Sequence, residues 1–319
     1  MDFGAITSER WRMLKLKTKH FLTGEELSRE ELEQLISLAI KLKSNRFQKT
    51  LENKTLALLF EKPSLRTRVS FSVAINQLAG NVLELNSQQS KKEHPADTLR
   101  VLQGYVDGLM VRTFAHENLL QMCEHAKIPV INGLSDIHHP CQVLADLQSL
   151  KETFGHLQGL TLCYFGDGNN MLHSLLLLAP FVGVNVNYSC PEGFQPNAQI
   201  LNRSQERAKL GGAIIKKFSS PKEAAAGANA LYTDVWTSMG FETDNHNEYQ
   251  KRINAFSDYK LNSELYSLAA DNAAIMHCMP IHENQEITRE MVEHKNSILF
   301  RQSENRLHAQ KALLIGLFS

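Results

Sequence analysis

The chain has 319 residues, with 34 Lys plus Arg against 34 Asp plus Glu, 43% apolar residues and 21% charged residues. Zero net charge argues against a general binder of nucleic acid or other polyanions, so any anion site must be local. The apolar content argues against disorder, and the length suggests two domains.

The opening stretch, MDFGAITSERWRMLK, has no apolar segment of the kind a secretory signal needs. Ser28 and Glu31 have the spacing of a capping box, and Leu32, Leu35, Ile36 and Ala39 follow at helical period. Thr55–Phe60 reads as a strand, Val69–Ala79 as a helix stopped by Gly80, and Val82–Leu85 as the next strand. Strand-like runs continue at Gly108–Val111 and Ile128–Ile131, and His139–Phe154 is one long helical pattern. A second series of strands follows: Leu160–Phe165, Val184–Tyr188, Ala230–Thr233, Ala274–Met276 and Ile298–Phe300. Helical patterns separate them at Met171–Ala179, Asn197–Leu210 and Pro221–Gly227, and Glu304–Leu317 closes the chain. The segment Gly240–Lys260 is polar and reads as a long loop. Strand–helix alternation in both halves predicts α/β architecture with two doubly wound parallel-sheet domains. The expected division is residues 1–150 and 151–302, with the C-terminal helix, 303–319, returning to the first domain.

The longest nearly pure apolar run, Leu175–Val184, contains Pro180 and is too short to cross a bilayer. Five cysteines (Cys123, Cys141, Cys163, Cys190 and Cys278) form no CxxC, which argues against a disulfide framework or a thiolate zinc site. The expectation is a reduced cytoplasmic protein with no membrane or nucleic-acid partner.

Polar clusters fall at the carboxyl ends of the strands, where open parallel sheets bind ligands. After TLALLF comes Glu61-Lys62-Pro63-Ser64-Leu65-Arg66-Thr67-Arg68. Free backbone N–H groups of a helix start, two hydroxyls and two guanidiniums suit a phosphate. Arg112 ends the third strand, and His138-His139-Pro140-Cys141-Gln142 follows the fourth. Gly166-Asp167-Gly168-Asn169-Asn170, Asp234–Gly240 and His277-Cys278-Met279-Pro280 follow later strands, and Arg306 opens the last helix. Singly, each is an ordinary turn, cap or core histidine. Together, at equivalent topological positions, they mark a site.

These motifs resemble those of the aspartate/ornithine carbamoyltransferase family over nearly the whole chain. Ser64-Leu65-Arg66-Thr67-Arg68 is similar to its Ser-Thr-Arg-Thr-Arg motif, and His139-Pro140-Cys141-Gln142 to its His-Pro-x-Gln motif. Asp234-x-x-x-Ser238-Met239-Gly240 and His277-Cys278-Met279-Pro280 resemble the marks of the ornithine branch, where Leu is more usual than Met279. Leu65 departs from the pattern by removing one hydroxyl, which implies weakened but surviving phosphate binding through the backbone N–H. The Pro-Ser-Leu-Arg-Thr-Arg spelling also resembles the branch acting on N-acylated ornithines, but that branch lacks the Ser-Met-Gly loop.

The resemblance implies transfer of a carbamoyl group from carbamoyl phosphate to L-ornithine, giving L-citrulline and phosphate without a cofactor or metal. Ser64, Leu65, Arg66, Thr67 and Arg112 would hold the phosphate. Thr67, Arg112 and His139 would face the carbamoyl oxygen, where negative charge grows in the transition state. Gln142 and the backbone carbonyls near Cys278 and Met279 would hold the carbamoyl amide, with Arg306 a further contact. Gln88 and Lys92 lie in a polar loop that reaches a neighbouring subunit's site in the family, implying a homotrimer or a multiple of trimers. Asn170, Asp234, Ser238 and Met239 would read the α-amino and α-carboxylate groups of ornithine, with Asn169 behind them. Cys278 and Asp234 are the candidates near the attacking amine.

Other readings fit less well. Gly166-x-Gly168 begins a dinucleotide fingerprint, but position 171 is Met, and Asn187-Tyr188 close the next strand without an acid. His277 and Cys278 are adjacent on a strand and point to opposite faces, so they form no direct dyad. The histidines show no HExxH or Cys/His ligand spacing. A non-catalytic scaffold has no use for donors at six strand ends.

Overall fold

The computed structural model describes residues 14–86, 93–237 and 246–319. The chain divides into two compact units: residues up to Leu134 with Arg306–Ser319, and Ser135–Asn305. Each is an open parallel α/β sheet, as the strand–helix alternation predicts.

The first unit contains α1 (Arg29–Ser44), β1 (Thr55–Phe60), α2 (Leu65–Gln77), β2 (Asn81–Asn86), α3 (Pro95–Leu102), β3 (Gly108–Arg112), α4 (His116–Cys123) and β4 (Val130–Leu134). The Ser28–Glu31 capping box is formed, and Leu32, Leu35, Ile36, Ala39 and Leu42 bury one face of α1. The parallel sheet has the order β2-β1-β3-β4. Phe21 adds a bridge outside β4. Because β1 connects outward to β2 on one side and β3 starts on the other, the topological switch lies between the ends of β1 and β3. Phe60 and Arg112 stand side by side there.

The second unit contains α5 (Pro140–Phe154), β5 (Thr161–Phe165), α6 (Asn170–Leu178), β6 (Asn185–Ser189), α7 (Ala198–Gly211), β7 (Ile215–Lys217), α8 (Pro221–Ala225), β8 (Ala230–Thr233), α9 (His246–Ala255), α10 (Ser263–Tyr266), β9 (Ala274–His277) and α11 (Arg289–Val292). Its sheet, also parallel, runs β7-β6-β5-β8-β9, so its switch lies between β5 and β8. Within α6, His173 is a buried brace. Its Nδ1 hydrogen-bonds the Ile137 carbonyl (3.0 Å), and its Nε2 accepts the Asn197 backbone N–H (2.9 Å).

The last helix, α12 (Leu299–Phe318), begins in the second unit and ends in the first. The Gly316 carbonyl accepts the Leu16 N–H (3.0 Å), and the Phe318 ring fills the space a side chain at position 108 would need. Lys311, wholly buried, donates to the Arg46 carbonyl and to Gln77 Oε1. Burial, with Arg46 nearby, pushes its ammonium down to about 8. In the unfolded chain the same group titrates near 10.4. Between those values the folded state holds fewer protons, so this lysine's contribution to stability improves as pH rises through the window. Relative to wild type, Lys311→Met is therefore expected to show a Tm difference that is flat below pH 8. It should shift against the variant between about pH 8 and 10.4, as read by melting both proteins across that range.

Two expectations are corrected. Ile298–Phe300 forms no strand: Ile298 N–H reaches the Ile275 carbonyl, Ser297 bridges Ile275, and Leu299 already starts α12. A three-residue apolar run fits either state, and here it caps the sheet edge and enters the helix. The expected loop at Gly240–Lys260 contains α9 over His246–Ala255, whose polar surface hid its period. Among the described residues no helix is long and apolar enough to cross a membrane.

Candidate active site

In the first unit the site is built at the switch point. Ser64 caps α2 in extended conformation, its hydroxyl accepting the Thr67 N–H at 3.4 Å. The helix start leaves backbone donors facing outward, with the positive end of the helix dipole behind them. Thr67 is fully buried, and its hydroxyl accepts from Arg306 Nη2 at 2.7 Å. Arg306 therefore comes from the far end of the sequence to the first turn of α2. Leu65 is 74% exposed, so its side chain takes no part in the cap and only its backbone N–H remains at the helix start.

Arg112 ends β3, where the pairing with β4 shifts register between Val111 and Arg112. Its carbonyl accepts the Glu61 N–H (2.9 Å), tying the loop before Ser64 to β3. The Glu61 carboxylate adds the Thr113 hydroxyl (2.6 Å) and the Phe114 N–H (2.9 Å). These bonds fix the backbone from which Arg112 projects. The two guanidiniums of the motif are not equivalent. Arg68 lies over the Phe60 ring, 5.3 Å from its centroid, and pairs with Glu84 on β2 at 3.4 Å. Arg66 occupies the first turn of the helix.

In the second unit, His139 is the N-cap position of α5. Its backbone N–H donates to the Ser174 hydroxyl at 2.8 Å, and that hydroxyl donates to the Asn170 carbonyl (3.0 Å). Asn170 Nδ2 donates to the Ser135 carbonyl at 2.6 Å. Asn169 caps α6 with its side-chain oxygen and donates from Nδ2 to Asp234 Oδ2 at 2.8 Å. Asp234 Oδ1 accepts the Val235 N–H (2.8 Å) and the Cys278 thiol (2.9 Å). The ends of β5, β8 and β9 thus meet at one nearly buried carboxylate.

Gly166 and Gly168 serve this turn rather than a dinucleotide. Gly166 has φ +142°, and a Cβ at 168 would strike the backbone of Gln195 and Pro196 at 2.4 and 2.3 Å. Asp167, beside them, pairs with Arg252 of α9, whose guanidinium also donates to the Trp236 carbonyl. That clamp ties the end of β5 to the residues after β8.

His277 Nδ1 accepts the Met279 N–H (2.8 Å), so the ring proton is on Nε2, which donates to Glu286 Oε1 (3.1 Å). Both partners are fully buried. Met279 has φ +58° and precedes a cis peptide to Pro280. Asp234, His277 and Cys278 each offer a ligand atom within 4.8 Å of the others. In the structure those groups are engaged with one another and with Met279, Asn169 and Glu286, as given above. Gln142 is fully buried, and its Nε2 donates to Asp146 Oδ1 at 2.9 Å.

The structure brings Ser64, Thr67 and Arg306 together in the first unit, with Arg112 beside the same switch point. In the second it joins Asp234 and Cys278 directly, with Asn170 in the turn that holds Asn169. Gln88, Lys92, Ser238 and Met239 lie outside the described residues. Arg252, Asp146 and Glu286 were not foreseen. An acid four residues after Gln142, inside the otherwise apolar run Val143–Leu147, was the one available signal for Asp146.

A family model described as the aspartate/ornithine carbamoyltransferase carbamoyl-P binding domain matches residues 19–152. The model for the Asp/Orn binding domain matches residues 158–317. The chain belongs to the aspartate/ornithine carbamoyltransferase family. Within it, the chain is 45% identical to an ornithine carbamoyltransferase of Anoxybacillus flavithermus, over 95% of this chain and 98% of that protein. The crystal structure of ornithine carbamoyltransferase from Gloeobacter violaceus superposes with a TM-score of 0.86 at 44% identity, covering 95% of this chain and 99% of the other. The ornithine carbamoyltransferase from Pyrococcus furiosus gives 0.90 at 38% identity, covering 95% and 97%.

Proposed function

We propose that this member of the carbamoyltransferase family transfers the carbamoyl group of carbamoyl phosphate to the δ-amine of L-ornithine, giving L-citrulline and phosphate. The observation that carries the reading is the Asp234–Cys278 pair, held by Asn169 at the switch point of the second sheet. A buried carboxylate beside a thiol suits an acceptor with a second ammonium group better than one with a second carboxylate, which supports ornithine over aspartate.

Carbamoyl phosphate is held chiefly by residues 1–150 and the returning helix 303–319, and ornithine by residues 151–302. Ser64, Leu65 (through its backbone), Arg66, Thr67, Arg112 and Arg306 neutralise the phosphate as it leaves. Thr67, Arg112 and His139 donate to the carbamoyl oxygen, favouring the transition state over the substrate. Gln142, Cys278 and Met279 take the amide. Gln88 and Lys92 complete the site of a neighbouring subunit in a trimeric, cytoplasmic enzyme. Asn170, Asp234, Ser238 and Met239 hold the α-amino and α-carboxylate groups.

The attacking amine must shed a proton. A lysine-like value of about 10.4 puts the neutral form about 4.6 kcal/mol uphill at pH 7. With saturating carbamoyl phosphate, kcat/KM for ornithine is expected to climb between pH 7 and 9, and a flat profile would remove this account of activation. The deciding assay is citrulline formation with L-ornithine beside parallel reactions with aspartate, putrescine and N-acetylornithine. Turnover with ornithine alone supports the reading; turnover only with another acceptor overturns the specificity but keeps the family chemistry.

A further inference from the structure

We propose that Asp146 governs the choice of acyl donor by fixing which end of the Gln142 amide faces the substrate. The proposal rests on the reading of Gln142 as the partner of the carbamoyl amide.

The argument begins at a backbone group whose role is beyond choice. His277 N–H can only donate, and it donates to Gln302 Oε1 at 3.1 Å. The Gln302 amide is thereby oriented with Nε2 toward Asp146 Oδ1, at 2.7 Å. Asp146 Oδ1 is therefore an acceptor, and Gln142 must meet it with its NH2 end, at 2.9 Å. The Tyr232 hydroxyl satisfies Asp146 Oδ2 at 3.1 Å. Gln142, Asp146, Tyr232, His277 and Gln302 are all fully buried, so water does not compete for these bonds.

One atom is left over. Gln142 Oε1 is buried and has no hydrogen-bond partner. A buried acceptor without a donor is unfavourable, and a substrate N–H would relieve it. The carbamoyl group offers an NH2 at that place; an acetyl group, of nearly the same size and shape, offers a methyl. A site whose buried polar group is left unpaired by the analogue discriminates far better than one that merely fits its shape. Asp146 touches no substrate in this scheme. It is a positioning residue, acting through Gln142.

The test compares carbamoyl phosphate with acetyl phosphate as donors to ornithine. In both reactions the amine nitrogen bonds to the acyl carbon, and the carbon–oxygen bond to phosphate breaks. Phosphate leaves with the electron pair, and the amine proton is released. The readout is the ratio of the two kcat/KM values, which a general loss of packing does not change.

Asp146→Leu is expected to lower that ratio about tenfold, because Gln142 is then free to turn its NH2 toward the substrate. Asp146→Asn is expected to keep the ratio within about twofold. Its Oδ1 still accepts both amides, while its Nδ2 faces a Tyr232 hydroxyl that rotates to accept. Gln142→Leu is expected to lower the ratio as far as Asp146→Leu does, and the double variant no further.

A folded Asp146→Leu protein with the wild-type ratio, or an Asp146→Asn protein that loses as much as Asp146→Leu, overturns the proposal. Should Asp146→Leu fail to fold, an unchanged ratio in Gln142→Leu overturns it equally. Absence of carbamoyl transfer in the wild type is a different result and overturns the functional reading itself.

Discussion

Asp234→Asn is expected to lower kcat/KM for ornithine by two to three orders of magnitude, with little change in the affinity for carbamoyl phosphate. Asp234 is 4% exposed and receives three donors: Asn169 Nδ2, the Val235 N–H and the Cys278 thiol. An asparagine must turn its NH2 toward one of these donors, so one contact becomes repulsive. It also removes the charge that offsets a substrate ammonium. Truncating one partner of a buried, hydrogen-bonded charge pair costs about 2–5 kcal/mol, and about 1.4 kcal/mol is tenfold. Initial rates against ornithine and calorimetric titration with a phosphonate analogue of carbamoyl phosphate separate the two effects. An unchanged KM and kcat for ornithine would remove Asp234 from the site. A parallel loss of analogue binding would mean that the variant had disturbed the fold.

Arg112→Leu is expected to lower kcat/KM for carbamoyl phosphate by about a thousandfold while leaving Tm nearly unchanged. Arg112 is half-buried at the end of β3, beside Phe60 across the switch point, with its backbone tied to Glu61. The backbone there is held on both sides, and the change removes charge from the proposed phosphate site rather than atoms from a core. Losing one preorganised donor to a developing oxyanion costs roughly 2.7–4 kcal/mol in comparable sites. Arg112→Lys is expected to recover only part of the loss, because an ammonium keeps the charge but not the planar fork. Steady-state kinetics with carbamoyl phosphate as the varied substrate gives both numbers. A loss confined to ornithine KM would reassign the residue.

The sequence made the sheets legible because buried parallel strands leave short runs such as TLALLF and ALYT, bounded by turn residues. It made the candidate site legible because Arg112, Asp234 and the Ser64 motif stand at the ends of such runs. Three kinds of feature stayed hidden. The strand β7, Ile215–Lys217, has one buried residue and two lysines, too little pattern to read. The start of α12 looked like a strand because Ile298, Leu299 and Phe300 fit either period. The pairing of Arg252 with Asp167, and of Gln302 with Asp146, joins positions 85 and 156 residues apart. No local pattern encodes such meetings; only the packed sheet creates them.

The long final helix also sets an order of events in biosynthesis. The contact between Arg306 and Thr67 spans 239 residues of chain. The strands of the first sheet leave the ribosome early, yet the first turn of α2 lacks its arginine until the residues that separate the two have all been made. Lys311, Gly316 and Phe318 arrive later still, and with them the cover for Gln77, Leu16 and Gly108. A nascent chain therefore carries an unfinished first unit until residues 306–319 have been made. Domains generally fold as units, the N-terminal one first. Here the unit that starts first is completed only after the whole second unit has been made, so on the proposed reading of Arg306 as a phosphate contact the phosphate site waits for that point.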